Sequence, residues 1–149
     1  MAERTVSTVR GIETTLAVDK EDDGTFVIIK CATEINMSAD REMLDANCYG
    51  GTEQVPSGND PKYSFTISGI TKEYPSDEDG ANVSGNEIED WFLSGELKKF
   101  KHARPFSGDR VRSFSGFVTA FGEAGVVNGL QTYNATVTPQ KVPVITAQA

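Results

Sequence analysis

Three clusters in this sequence carry residue types that could do chemistry. Asp19, Glu21 and Asp23 alternate ahead of Gly24, the spacing with which a calcium-binding EF-hand loop begins. That loop needs a bidentate Glu at its twelfth position, where this chain has Lys30, a cation that repels the metal. An exposed hairpin turn is the better reading. A second acidic run, Pro75 to Gly80, fails at its first ligand, because Pro75 stands there. Cys31, Cys48 and the single histidine, His102, are too few and too far apart for a zinc site. The cysteines are expected to stay free thiols.

His102 has no partner motif. The chain contains no G-x-S-x-G, no phosphate-binding Walker loop and no H-E-x-x-H. Its setting, Lys98-Lys99-Phe100-Lys101-His102-Ala103-Arg104, reads as a solvated strand edge. No two of the many carboxylates are singled out by spacing as an acid/base pair. The sequence therefore offers no catalytic site, no metal site and no cofactor motif, and it is read as that of a non-enzyme.

Charge is the more informative signal. The 149 residues carry a net charge of −8, which argues against gripping phosphate backbones, since that binding rests on Lys and Arg. Yet residues 96–112 hold Lys98, Lys99, Lys101, Arg104, Arg110 and Arg112 against Glu96 and Asp109, a net +4 that leaves −12 for the rest. Three readings compete. A nucleic-acid patch is weakened by the overall acidity and the sparse aromatics. A self-complementary surface would set the stretch against an acidic loop of another copy, such as Asp77, Glu78 and Asp79. A plain solvated face would find its partners within the subunit.

The elements that must position these residues are mostly strands. Ile12, Thr14, Leu16 and Val18 alternate as a half-buried strand, the Asp19–Gly24 turn follows, and Val27, Ile29, Cys31, Ile35 and Met37 predict one long returning strand. Arg41–Asn47 reads as a short strand turning Met43 or Leu44 inward. Gly50–Asp60 reads as a loop by its Gly, Pro, Ser and Asn content. Tyr63, Phe65 and Ile67 mark a one-faced strand. The one helix is predicted to start at Asn86, with Glu89 as capping-box acid, Ile88, Trp91 and Phe92 as its apolar stripe and Gly95 as its stop. Strands are then expected over Glu96–Ala103, over a central Arg110–Phe121 and over Leu130–Val142. The last of these sets Tyr133, Ala135 and Val137 against Thr132, Asn134 and Thr136. The whole is expected to be one domain over 1–149, with a flexible N-terminal arm (1–10) and C-terminal tail (143–149). The start has no apolar signal stretch, and no run reaches membrane-spanning length.

Three segments, in order, resemble the tail tube (major tail) proteins of long-tailed bacteriophages: Thr33–Ala46, then Tyr63–Gly69 ending in Ser-Gly, then Phe114–Phe121 with its Gly-x-Val-Thr-x-Phe followed by Tyr133-x-Ala-Thr-Val. Pro139-Gln140-Lys141 departs from the family, many of whose members have a glycine there. The resemblance implies a mostly β, sandwich- or barrel-like tail tube fold with one short flanking helix and extended arms or loops. It implies six-fold rings stacked into a hollow tube in the virion tail, assembled in the host cytoplasm, through which DNA passes without specific binding. Its partners would be other copies of itself, the tape measure protein and tail terminator or tip proteins, with no membrane insertion. On that reading Thr132, Asn134 and Thr136 are candidates for the lumen side. The competing expectation is a monomeric Ig-like β-sandwich binding module, although Trp91 follows both cysteines instead of lying between them.

Overall fold

The computed structural model describes residues 8–30, 32–74 and 82–148. A 3₁₀ turn at Gly11–Glu13 leads into β1 (Thr15–Asp19), β2 (Val27–Ile28), β3 (Ala32–Asp40), β4 (Met43–Cys48), β5 (Gly51–Pro56) and β6 (Lys62–Ile70). The helix α1 (Gly85–Ser94) follows, then β7 (Lys98–Ala103), β8 (Arg110–Ala124), β9 (Thr132–Pro139) and β10 (Val144–Ala147).

One antiparallel sheet dominates, in the order β2-β1-β7-β8-β9-β6-β3, with β10 added to β8. β2 and β3 stand at opposite ends of that path, yet Ile28 and Ala32 are only four residues apart. Four residues span at most about 14 Å, so the sheet must roll until its ends nearly meet. Inside the roll lie Leu16 and Val18 of β1, Phe65 and Ile67 of β6, Phe100 of β7, Phe114 and Val118 of β8, and Tyr133, Ala135 and Val137 of β9. Phe65 stacks on Phe114 with ring centres 4.5 Å apart, and Phe114 on Phe100 at 5.5 Å. Ile88 and Trp91 of α1 close the roll from one side.

β8 is the spine, as its apolar residues suggested. Its first half pairs with β7 on one edge and β10 on the other, and its second half pairs with β9. Gly116 sits where β8 passes β9 most closely: a Cβ there would lie 2.7 Å from the Thr138 carbonyl oxygen. The glycine of the Gly-x-Val-Thr-x-Phe string is thus required by a backbone approach.

Several expectations are corrected. The strand read through Val27 to Met37 is broken: Val27 and Ile28 pair with β1, the Ile29 amide still donates to the Leu16 carbonyl, and β3 crosses to pair with β6. β1 begins at Thr15, and Ala17 and Asp19 are buried as well, because the roll covers both of its faces. The helix is capped two residues earlier than read, by Ser84, whose hydroxyl accepts from the Glu87 amide (3.2 Å). Phe92 faces outward, while Gly95 stops the helix in the left-handed conformation as expected. Gly51–Pro56 is a strand and no loop, and it makes a hairpin with β4 in which Met43 and Leu44 are both exposed. Val144–Ala147, read as part of a tail, runs as β10 on β8. Cys31, residues 1–7 of the expected N-terminal arm, and the loop over 75–81 lie outside the described residues.

Candidate assembly surfaces

The face of the sheet turned away from the core on β3, β6, β9 and the second half of β8 is a carpet of small polar side chains. Register builds it row by row. Asn36 lies beside Thr66, Thr66 beside Thr136, and Thr136 beside Ala120. The next row runs Glu34, Ser68, Asn134, Gly122. Strand alternation demands this arrangement: with Tyr133, Ala135 and Val137 buried, Thr132, Asn134 and Thr136 must point the other way. Asn36 donates to the Glu34 carboxylate (2.6 Å), and the Thr119 and Thr138 hydroxyls bond at 2.9 Å. Across β3, β6, β9 and residues 117–124 of β8 the charged residues are Glu34, Asp40, Lys62 and Glu123, and Lys62, the one cation, ends β6 beside Asp40.

This carpet ends on two open edges. β3 pairs with β6 alone, and no strand among the described residues covers its other side. β8 loses β7 at Gly116, so among the described residues 117–124 are paired only on the β9 side. Monomeric β proteins guard such edges with Lys, Pro or bulges that turn the edge away. The nine residues of β3, Ala-Thr-Glu-Ile-Asn-Met-Ser-Ala-Asp, contain neither Lys nor Pro, and their one irregularity lies at the Ala32/Glu34 end.

The β4–β5 hairpin projects beyond the sheet, exposed on both faces. Leu44 pairs across it with Val55, and both stand open to solvent, as does Tyr49 at the tip. The β8–β9 turn likewise exposes Val126, Val127 and Leu130. A lone two-stranded ribbon is marginal in water, so these apolar groups call for cover. Reading the sequence missed the hairpin. Its signal was the Gly50-Gly51 turn between Met43–Cys48 and the strand-forming Thr52-Glu53-Gln54-Val55.

The basic stretch divides in two. Lys98 is largely spent inside the subunit: its ammonium donates to the Lys20 carbonyl (3.0 Å), lies 3.3 Å from Glu96 and sits over the Trp91 ring. Lys99 reaches Asp22 at 3.7 Å, and Lys101 covers the Phe26 ring at 4.5 Å. Among the described residues, no carboxylate lies within salt-bridge distance of Arg104, Arg110 or Arg112. Arg112 turns to the core side, its Nη1 3.4 Å from Nδ1 of His102. His102 is no solvated edge residue: it is 9 % exposed, with its ring 5.3 Å from Phe65. Burial first, then the charges of Arg112 and Arg104, push its pKa down to about 4, so the ring is neutral. Burial and the charge of Arg110 also lower the pKa of Arg112. Asp77, Glu78 and Asp79 fall outside the described residues.

Asp19, the first residue of the EF-hand-like string, is buried beneath the β1–β2 turn, on the face of β1 opposite Leu16 and Val18. Its carboxylate is 1 % exposed and accepts from the amides of Asp23 (3.1 Å) and Gly24 (2.9 Å). Burial raises its pKa, but those bonds outweigh it and hold the group below the ordinary carboxylate value.

No protein-family model and no curated protein matches the sequence. Solved structures do. The SPP1 tail tube superposes with a TM-score of 0.75 at 11% identity, covering 95% of this chain and 80% of that one. The tail of an empty gene transfer agent particle, solved with C6 symmetry, gives 0.74 at 19% identity over 95% and 100%. The sheath/tube terminator of the PVC extracellular contractile injection system gives 0.63 at 12% over 98% and 100%. The chain therefore has the mostly β fold of phage tail tube proteins, with one short helix.

Proposed function

We propose that this chain is the subunit of a phage-type tail tube, polymerising into stacked six-fold rings whose bore passes DNA. The observation that carries the proposal is the pair of unguarded edges, on β3 and on β8, flanking a polar face whose single cation, Lys62, sits at the end of β6 beside Asp40. Joining the β8 edge of one copy to the β3 edge of the next continues the sheet. The strand directions alternate through β3, β6, β9 and β8, so four strands per copy keep each new seam antiparallel. Six copies give 24 strands. At about 4.8 Å per strand and about 40° of tilt, the barrel radius is about 24 Å. Side chains reaching about 5 Å inward leave a bore about 38 Å wide.

Thr132, Asn134 and Thr136 then line the lumen. Their hydroxyls and amides stay hydrated, and the one cation of the four strands, Lys62, lies beside Asp40, so phosphates meet no cluster of cations that could hold them. The subunit does no chemistry in this reading. Its partners are its own copies along the tube, with tape measure and terminator or tip proteins at the ends, and its place is the virion tail.

Electron microscopy of the purified protein tests the proposal. Rings or tubes with a central bore support it. A strict monomer at millimolar concentration, with the outward amides of β3 exchanging fast, overturns it.

A further inference from the structure

Three guanidinium groups gather at the His102 end of β7 and β8: Arg112 against the imidazole, with Arg104 and Arg110 near Arg112. Arg112 Nη1 sits 3.4 Å from the imidazole, its Nε is buried with no hydrogen-bond partner among the described residues, and none of the described carboxylates lies within salt-bridge distance of Arg104 or Arg110. In a chain of net charge −8, three neighbouring arginines with no described carboxylate on them mark a surface suited to an anion.

The same structure holds a carboxylate array in fixed form. The buried Asp19 ties down the β1–β2 turn through the amides of Asp23 and Gly24, and Asp22 takes a left-handed φ of 58°. Glu21, Asp22 and Asp23 are thereby presented together on an exposed turn. Among the described residues the ion pair there, Asp22 with Lys99, is long (3.7 Å) with both side chains more than half exposed, and holds little. Ordering these groups in advance removes an entropy cost that docking would otherwise meet.

One strand separates the two surfaces. Thr15 at the start of β1 pairs with Ala103, next to Arg104, while Asp19 at its end opens the acidic turn. The four steps between them cover about 13 Å, so a copy's own turn cannot reach its own arginines. Opposite charges at opposite ends of one rigid strand make a contact between two different patches, which propagates from copy to copy instead of closing a two-fold dimer.

We propose that the β1–β2 turn of one copy, through Glu21, Asp22 and Asp23, docks on the Arg104–Arg110–Arg112 cluster of the next copy along the tube axis. This rests on the tube reading and adds to it the contact that stacks one ring on another. Arg112, packed against His102, is the fixed floor of the receptor; Arg104 and Arg110 form its rim.

A charge-swap experiment tests it. One variant carries Arg104→Glu and Arg110→Glu; the other carries Glu21→Lys, Asp22→Lys and Asp23→Lys. All changes are at partly or fully exposed side chains, and circular dichroism with a thermal melt checks that each variant folds. Each alone is expected to raise the critical concentration for tube formation at least tenfold, and an equimolar mixture is expected to restore it. Unchanged polymerisation of the arginine variant would overturn the docking and leave the tube reading intact. Loss in both variants without rescue would overturn the assignment of this turn as the occupant. A wild-type protein that never forms rings or tubes would remove the reading beneath it.

Discussion

Acidification should destabilise the isolated subunit well before its carboxylates titrate, and one residue sets the size of the effect. His102 titrates near its ordinary 6.5 in the unfolded chain and at about 4 in the folded one. The folded pKa is depressed, so the unfolded chain binds the extra proton as pH falls below 6.5. Stability from this group is therefore complete above 6.5 and drains away between there and 4. From pH 7.5 to 5.5, the linkage relation with 1.36 kcal/mol per pKa unit gives a loss of about 1.3 kcal/mol. The rim of the ring that still meets solvent trims that to about 1 kcal/mol. Urea melts at the two pH values, below the concentration at which copies associate, should show a midpoint drop of about 0.5 M. His102→Gln should flatten the slope, since the Phe65 and Arg112 contacts no longer face an ionisable ring. This is the only histidine in the chain, so its imidazole resonance reads the folded pKa without assignment. A folded-state titration near 6.5, or an unchanged pH slope in His102→Gln, would refute the burial-plus-arginine argument.

Further outcomes follow from particular contacts. Gly116→Ala forces a Cβ to within 2.7 Å of the Thr138 carbonyl and should cost about 1–3 kcal/mol, measured as a lowered thermal midpoint. Trp91→Ala removes the largest side chain that α1 buries and should cost about 3–5 kcal/mol, whereas Ser84→Ala, which loses only the helix cap, should cost about 1 kcal/mol. In hydrogen exchange, amides of residues 34–40 should alternate between fast and slow in the free subunit, because only one edge of β3 is paired, and all become slow in the assembled tube. Thr132→Lys, Asn134→Lys and Thr136→Lys together should leave assembly intact but make tubes bind duplex DNA in a salt-dependent way, seen by co-sedimentation.

Alternation made the inward and outward faces of β6 and β9 readable, because a strand packed on one side writes its burial with period two. The helix was legible for the same kind of reason, though Ser84 and Glu87 took the cap from Asn86 and Glu89. Shared and broken strands were not. β1 is covered on both faces, so Ala17 and Asp19 gave no polar alternation. The break after Ile28 depends on where the ends of the rolled sheet meet, which no local pattern records. The β4–β5 hairpin hid because its residues have no core to face, so neither Met43 nor Leu44 turns inward. At the candidate surfaces, charge counting found the basic stretch. Only the structure separates Lys98, Lys99 and Lys101, engaged within the subunit, from Arg104, Arg110 and Arg112. The burial of His102 was likewise invisible amid four flanking cations.

Cryo-electron microscopy of the protein at polymerising concentration probes the main claim most directly. A six-fold tube in which the β8 edge of each copy hydrogen-bonds the β3 edge of its neighbour, with Thr132, Asn134 and Thr136 on the bore, is the expected map. A map in which both edges stay unpaired, or in which those three side chains face outward, would contradict it.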